Sequence, residues 1–383
     1  MTNNALQELF TQQFGSDSQG VVSAPGRVNL IGEFTDYNQG YVLPCALTFR
    51  TQVLYRVRDD NTVNVLSTMY PNEKESFSVN QPINAGQSQW GNYIRAVAFV
   101  LTRAGHQLSG VDLLIESNVP QGSGLSSSAA LEVAIAGMFN HICKLNLTEE
   151  QIALFGQEAE NDFMDCQCGI MDQLISAKGQ KNQALLIDCQ NLHTTSVTIP
   201  SDLSIVIVNS NYPRKLVDSE YNQRRIDCEQ AARKMGLTTL RDANIDLLMQ
   251  TKTEMSANEF ARAHHVITEN DRVIAATLAL TNNDIEQLRI LMTASHQSLK
   301  HDFEVTVPAT DGLVQICQQA LGERGAVRMT GGGFGGAIVC LCRNEDVAAI
   351  KQAVEQHYFS QFNLYADIYV CTAGDGLTVQ VFH

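Results

Sequence analysis

The residues best suited to chemistry begin at Gly122-Ser123-Gly124-Leu125, where a flexible turn runs into Ser126-Ser127-Ser128 and then a helix-forming stretch. Glycine lets a backbone approach an anion with no Cβ in the way. Serine hydroxyls cap helices, donate to phosphate oxygens or ligate magnesium. A helix opening at this point adds unpaired N–H groups and the positive end of its dipole, and the whole describes a polyphosphate site. A capping loop with no ligand would need only one serine, and two glycines would be costly in it. The P-loop sequence Gly-x-x-x-x-Gly-Lys-Ser/Thr does not occur.

Two more glycine-rich segments stand before and after this one. Ala24-Pro25-Gly26-Arg27-Val28-Asn29-Leu30-Ile31-Gly32-Glu33 sets an arginine at the mouth of a turn, with Glu33, Asp36, Tyr37 and Asn38 beyond an apolar run. Two carboxylates and an arginine suit a polyhydroxylated ligand, because carboxylates accept hydrogen bonds from hydroxyls; a surface ion pair is the plainer alternative. In Met329-Thr330-Gly331-Gly332-Gly333-Phe334-Gly335-Gly336 the spacing Gly-x-Gly-x-x-Gly is met, yet Ala337–Cys342 after it reads as a strand. The dinucleotide fingerprint must open a helix, so nicotinamide and flavin are set aside. What remains is a turn packed against a ligand or loop, or a plain turn between strands. Asp172 is an acid within the apolar stretch Cys168-Gly169-Ile170-Met171-Asp172-Gln173-Leu174. A buried carboxylate must be paired or functional, and Arg27 would satisfy either reading.

These residues need a scaffold. At 383 residues the chain exceeds the size at which one core stops growing, so two domains are expected. Short β-rich runs at Gly20–Ala24, Tyr41–Leu47, Thr51–Arg58 and Thr62–Ser67 precede a helix at Trp90–Arg103. Strand Val111–Glu116 feeds the serine loop, helix Ser126–Cys143 follows it, and Thr148 with Gln151 forms a capping box for the next helix. Strands Ala184–Asp188 and Leu203–Asn209 lead into helices Leu216–Met235, Ala257–Leu280, Asp284–Leu299 and Ala309–Leu321, and strands flank the third glycine segment. Elements in blocks rather than strict alternation favour α+β.

A net charge of −15 argues against nucleic acid or an anionic membrane surface, but not against ATP. No apolar run reaches membrane-spanning length, and Met1–Gly15 has no basic start or cleavage site, so a cytoplasmic protein is expected. The ten cysteines, with pairs Cys166/Cys168 and Cys340/Cys342, lack zinc-like spacing and read as reduced thiols.

Together the three segments resemble the GHMP kinase superfamily, and Gly32-Glu33-Phe34-Thr35-Asp36-Tyr37-Asn38 looks like the signature of its galactokinase family, the bacterial members in particular. The resemblance covers essentially the whole chain, including Cys168–Gln173 and Ser219-Glu220-Tyr221-Asn222. It implies a two-lobed α+β fold, with an S5-like lobe over residues 1–190 and a ferredoxin-like lobe over 191–383 whose last strands can pack across the boundary. It also implies phosphorylation of α-D-galactose at its anomeric hydroxyl by ATP with Mg2+; a monomer is the default expectation. Asp172 would be the base that takes or orients the sugar proton, while Arg27 stabilises developing charge and keeps Asp172 ionised. Glu33, Phe34, Thr35, Asp36, Gly169 and Tyr221 match sugar-contacting positions. Gly122, Ser123, Gly124, Leu125, Ser126, Ser127 and Ser128 would wrap the phosphates, and Ser128 and Glu160 match the magnesium ligands. Trp90 and Tyr93, core aromatics by pattern alone, match the adenine pocket.

One position departs from the family: Phe34 stands where galactokinases usually carry histidine, so any hydrogen bond made there by an imidazole is absent. Packing is the plain role for Phe34; weaker or broader sugar recognition is the sharper one. Two other functions compete. Some fungal sensor proteins resemble galactokinases but lack residues of the Ser-Ser-Ala loop, whereas Ser127-Ser128-Ala129-Ala130, Arg27 and Asp172 are intact here. A kinase for another substrate, such as N-acetylgalactosamine or a small alcohol, is the second.

Overall fold

The structure is a computed structural model and describes residues 3–120, 122–213 and 217–382, the side chains of 3 and 217–219 excepted. Gln121 of the glycine–serine stretch, Leu216 and the Ser219 side chain lie outside the described residues. Helix α1 (Asn3–Phe14) precedes strands β1 (Gly20–Asn29), β2 (Tyr41–Val42), β3 (Pro44–Val57), β4 (Thr62–Ser67) and β5 (Lys74–Ser78). Helix α2 (Gln89–Arg103), strand β6 (Val111–Ser117) and helices α3 (Ser127–Cys143), α4 (Glu149–Asp162) and α5 (Met171–Lys178) come next. Strands β7 (Gln183–Asp188), β8 (His193–Thr198) and β9 (Leu203–Asn209) lead to helices α6 (Val217–Lys234), α7 (Ile245–Thr251), α8 (Ala257–Thr281), α9 (Ile285–His301) and α10 (Pro308–Leu321). Strands β10 (Gly325–Thr330) and β11 (Ala337–Arg343), helix α11 (Val347–Phe362) and strands β12 (Asp367–Cys371) and β13 (Thr378–Val381) complete the described chain.

The first sheet runs β13-β1-β3-β6-β4-β5, antiparallel except where β4 meets β6. Alternation along its strands divides two cores. Val22, Val53, Leu113 and Ile115 face the layer of α2 to α5, while Val21, Leu54 and Leu114 face Leu6 and Phe10 of α1. The second sheet, β10-β11-β9-β12, is antiparallel throughout. One face packs Val206, Ile338 and Cys340 against Leu313 of α10 and Ile350 of α11. The other face, with Ile205, Val339 and Leu341, shares a core with Val28, Leu30 and Leu47 of the first sheet. That shared core brings the β10–β11 turn to the end of β1. A third sheet, β2-β7-β8, bridges the two, and residue 190 falls in the turn between β7 and β8.

The expected blocks of strand and helix are present, and the fold is mixed α+β. The capping box of α4 forms as Thr148 and Gln151 predict. Helix α5 is absent from the expected elements because it is short and its N-cap, Ile170, offers no capping side chain. Strands β5 and β8 and helix α7 also go beyond the sequence reading.

Candidate active site

Arg27 reaches the site because its strand changes register beside it. The β1–β3 ladder shifts between Pro25 and Arg27, and Gly26 lies so close to the Leu125 carbonyl that a Cβ there would collide with it. Such irregularities re-aim side chains. The Arg27 guanidinium grips Asp172 with two parallel bonds, Nε to Oδ1 at 2.7 Å and Nη2 to Oδ2 at 2.7 Å. This fork geometry is stronger and more directional than a single ion pair. Nη1 donates to Gly124 O at 2.5 Å, tying the glycine–serine loop to the same arginine. Asp172 lies in the first turn of α5 and its side chain remains 28% exposed against 7% for Arg27, so the carboxylate still faces open space.

Ser126 takes the N-cap position of α3, but its role is not the expected cap. Its backbone is left-handed, with φ 58°, no side-chain cap forms, and its hydroxyl donates to Asp172 Oδ2 instead. The α3 N-terminus is thereby left without a side-chain acceptor and stays available to an anion. Within the loop, Gly122 and Gly124 have φ of 69° and 75°, conformations that favour glycine. The Ser123 hydroxyl is buried and donates to Pro120 O at 2.6 Å, and Leu125 is buried, so these two shape the loop.

A cavity of about 180 Å³ opens onto Asp172, walled also by Arg27, Glu33, Phe34, Asp36, Gly169 and Tyr221. Thr35 is separate from that wall: it is buried, and its hydroxyl donates to Gly32 O and Tyr41 O. Gly169 is required where it stands, since a Cβ would collide with the Asp36 carboxylate. Burial first, and the negative Asp172 second, lift the Asp36 carboxyl to about 6. Phe34 is buried at φ 66°, its ring stacked 4.6 Å from Phe303 and tilted 5.7 Å from Tyr221.

Glu33 is held more tightly than the sequence suggests. Oε1 accepts from the Thr330 hydroxyl at 3.0 Å and the Gly331 N–H at 3.1 Å, and Oε2 accepts from Asn29 Nδ2 at 3.0 Å and pairs with Arg328. Burial nonetheless pushes its carboxyl up, Arg328 opposing the shift. The Glu33 carbonyl accepts from His265 Nε2 at 3.1 Å, so that nitrogen carries the proton; burial lowers the His265 ring to about 4 and keeps it neutral. The third glycine segment is therefore both things considered for it. It is a turn between β10 and β11, and it packs on a site, with Gly331 and Gly332 in the cavity wall.

In the same wall, Glu160 Oε2 accepts from Gln173 Nε2 at 2.8 Å, and the Ser128 hydroxyl bonds to the same carboxylate. Gln173 Nε2 also donates to the fully buried Glu132 at 2.9 Å, whose Oε1 has no partner. Burial raises both carboxyls, the negative charge of Asp172 adding to the shift at Glu160. A hydroxyl and a carboxylate in contact, beside an unpartnered buried oxygen, fit a hard divalent cation. On the other side of the α3 N-terminus, a second cavity is walled by Trp90, Tyr93, Tyr70, Glu73, Ser127 and Ser128. Trp90 stacks on Tyr70 at 5.6 Å and donates Nε1–H to Glu73 at 2.6 Å, so these aromatics border an opening rather than fill the core.

Arg328, Glu132, Gln173 and His265 were not among the expected site residues. Arg328 in Ala326–Met329 and Glu132 in Ala129–Met138 are lone charges in apolar runs, the same signal that marks Asp172.

Known proteins share this fold. Residues 8–57 match the galactokinase galactose-binding signature, 92–180 the GHMP kinases N terminal domain and 276–360 the GHMP kinases C terminal domain. The chain is 34% identical to Lactococcus lactis galactokinase, whose crystal structure is a complex with galactose, over 98% of this chain and 99% of that one, with a TM-score of 0.92. Mevalonate kinase from Methanococcus jannaschii shares the fold at 17% identity, covering 94% and 99% of the two chains with a TM-score of 0.66. Homoserine kinase from Cytophaga hutchinsonii does so at 18% identity, covering 96% and 99% with a TM-score of 0.63. With the galactose-binding signature ahead of both kinase domains and a galactokinase matched from end to end, the chain belongs to the galactokinases of the GHMP kinase superfamily.

Proposed function

We propose that the cavity at Asp172 holds α-D-galactose and the cavity at Trp90 holds the base of ATP, with phosphoryl transfer across the α3 N-terminus between them. The carrying observation is the fork between Arg27 and Asp172, joined by Ser126 at the mouth of α3. The two cavities meet there through neighbouring serines, Ser126 on Asp172 and Ser128 on Glu160.

In this reading Asp172 accepts the proton of the anomeric hydroxyl, and Arg27 fixes the carboxylate and balances charge as the phosphoryl group moves. Positioning and electrostatics supply most of the catalysis in such transfers. Asp36 and Tyr221 contact sugar hydroxyls, and Glu33, with its oxygens engaged, sets the shape of the wall. Gly122, Gly124, Ser127 and the α3 N-terminus cradle the phosphates, while Trp90 and Tyr93 border the base. Ser128 and Glu160 would hold Mg2+, which supplies charge neutralisation between the phosphate groups. A cytoplasmic setting is supported by ten cysteines of which none is in a disulfide, as suits a reducing compartment. Among the described residues no helix is long and apolar enough to cross a membrane. A monomer, divided into lobes near residue 190, completes the reading.

The test is ADP release with Mg-ATP and galactose, 2-deoxygalactose, N-acetylgalactosamine or glucose, in the native chain and in Asp172→Asn. We expect turnover with galactose, and a fall in kcat of about 10²–10⁴ in the variant with ATP binding retained. Binding of galactose and ATP without turnover would support the sensor reading instead.

A further inference from the structure

The cavity wall carries two thiols that phosphoryl transfer does not use. Cys166 and Cys168 both line it and are half-buried, while Gln167 between them is exposed and donates Nε2–H to Asn161 O at 3.2 Å. The Cys168 N–H donates to Cys166 O at 2.8 Å, which closes a γ-turn. Two residues of extended chain span about 6.6–7.2 Å, and the turn shortens that span. The two Cα atoms therefore lie within the ~7 Å beyond which a disulfide needs backbone movement. None of the ten cysteines is in a disulfide, seven are buried, and the remaining half-buried one, Cys143, ends α3 away from this wall.

We propose that Cys166 and Cys168 form a dithiol site which small disulfides oxidise to an internal disulfide, switching the kinase off. The Cys166 sulfur, as thiolate, attacks the small disulfide RS–SR and releases RSH. Cys168 Sγ then attacks the mixed disulfide and releases another RSH, so the protein loses two protons and two electrons and the small disulfide gains them.

The turn is tied to the site on both sides, which is why closure is felt there. Cys168 Sγ donates to Glu160 Oε2 at 3.4 Å, the carboxylate assigned to the cation. The next residue, Gly169, fits against the Asp36 carboxylate with no room for a Cβ. Arg225 Nη1 holds Gln167 O at 3.0 Å from α6, the helix that carries Tyr221. Drawing Cys168 Sγ onto Cys166 removes the thiol from Glu160 and twists the peptide leading into Gly169.

The loss of activity rests on the assignment of this cavity to the sugar, whereas bond formation is read separately by mass. Reduced protein is incubated with oxidised glutathione, and galactose-dependent ADP release is followed beside the mass of the peptide carrying both cysteines. Turnover should fall about tenfold or more, the size of effect a small misplacement produces. The peptide should lose two hydrogens in step, dithiothreitol should restore both, and galactose should slow the reaction. Cys166→Ser and Cys168→Ser, each measured against its own untreated rate, should resist. Glutathione adducts with no internal bond, bond formation without loss of turnover, or serine variants as sensitive as the native chain would each overturn the proposal. Failure of the base assignment shows up elsewhere, as an Asp172→Asn variant that keeps its untreated rate.

Discussion

The two cavities beside the α3 N-terminus are held in opposite ways. On the Asp172 side the wall carboxylates Glu33, Glu160 and Asp172 already have partners within the protein, drawn from β1, α3, α5 and the β10–β11 turn. On the Trp90 side the wall is a stacked pair of aromatics and the hydroxyls of Ser127 and Ser128, all partly open. A reacting oxygen must be placed to within a fraction of an ångström, so its surroundings are fixed beforehand. A base needs mainly an aromatic face and tolerates looser support.

The largest effect that can break this contrast is at the rigid side. Arg27→Lys keeps the charge but loses the fork to Asp172 and the bond to Gly124, so kcat should fall about 10²–10³ with little change in KM for ATP. A loss confined to KM for ATP would mean that Arg27 serves the nucleotide instead. On the soft side, Trp90→Ala should raise KM for ATP about tenfold or more, as for lost stacking on a base, and leave KM for galactose alone. Equal changes in both constants would erase the distinction between the cavities.

Asp36 sharpens the comparison through pH. With its carboxyl lifted to about 6, protonation removes a hydroxyl acceptor, so kcat/KM for galactose should drop as pH falls through that value. Stability moves the other way. The folded chain holds this proton more tightly than the unfolded one, whose aspartate titrates near 3.8, so Asp36 makes the unliganded protein more stable as pH falls from about 6 toward 4. Asp36→Asn should therefore stabilise the unliganded protein slightly, by on the order of 1 kcal/mol, and raise its Tm accordingly, while weakening sugar turnover. A lowered Tm would show that the charge is paired rather than strained.

The smallest effect is expected at Phe34. Phe34→His should lower KM for galactose more than for a 6-deoxy analogue, by the roughly 0.5–1.5 kcal/mol of one hydrogen bond. Loss of the Phe303 stack works against it in stability. Identical shifts for both sugars would leave Phe34 as packing alone.

What was legible in the sequence follows the same division. Segments whose role depends on local backbone, such as the glycine–serine loop before α3 and the Thr148 capping box, can be read from residue order. Asp172 and Arg27 could be singled out, but their pairing joins residues 145 apart and is made by packing, not by pattern. Arg328 and Glu132 carried the same mark of a lone charge in an apolar run, yet nothing local says which partner resolves it. His265, and Glu269 that accepts from the Gly32 N–H at 3.0 Å, sit in α8, whose mixed composition hides the face turned toward Glu33. The hydroxyl of Ser126 could not be assigned at all from sequence, because capping and contact with a distant acid use the same atom.

Strand β13 adds a consequence in time. It forms the outer neighbour of β1, with Thr378 reaching Ser23 across 355 residues, on the strand that carries Arg27. During synthesis the first sheet must wait with that edge unpaired until residues 378–381 have left the ribosome, long after its other five strands are available. Arg27 is thus among the first residues of the Asp172 cavity to be made, while the strand carrying it is among the last to be fully paired.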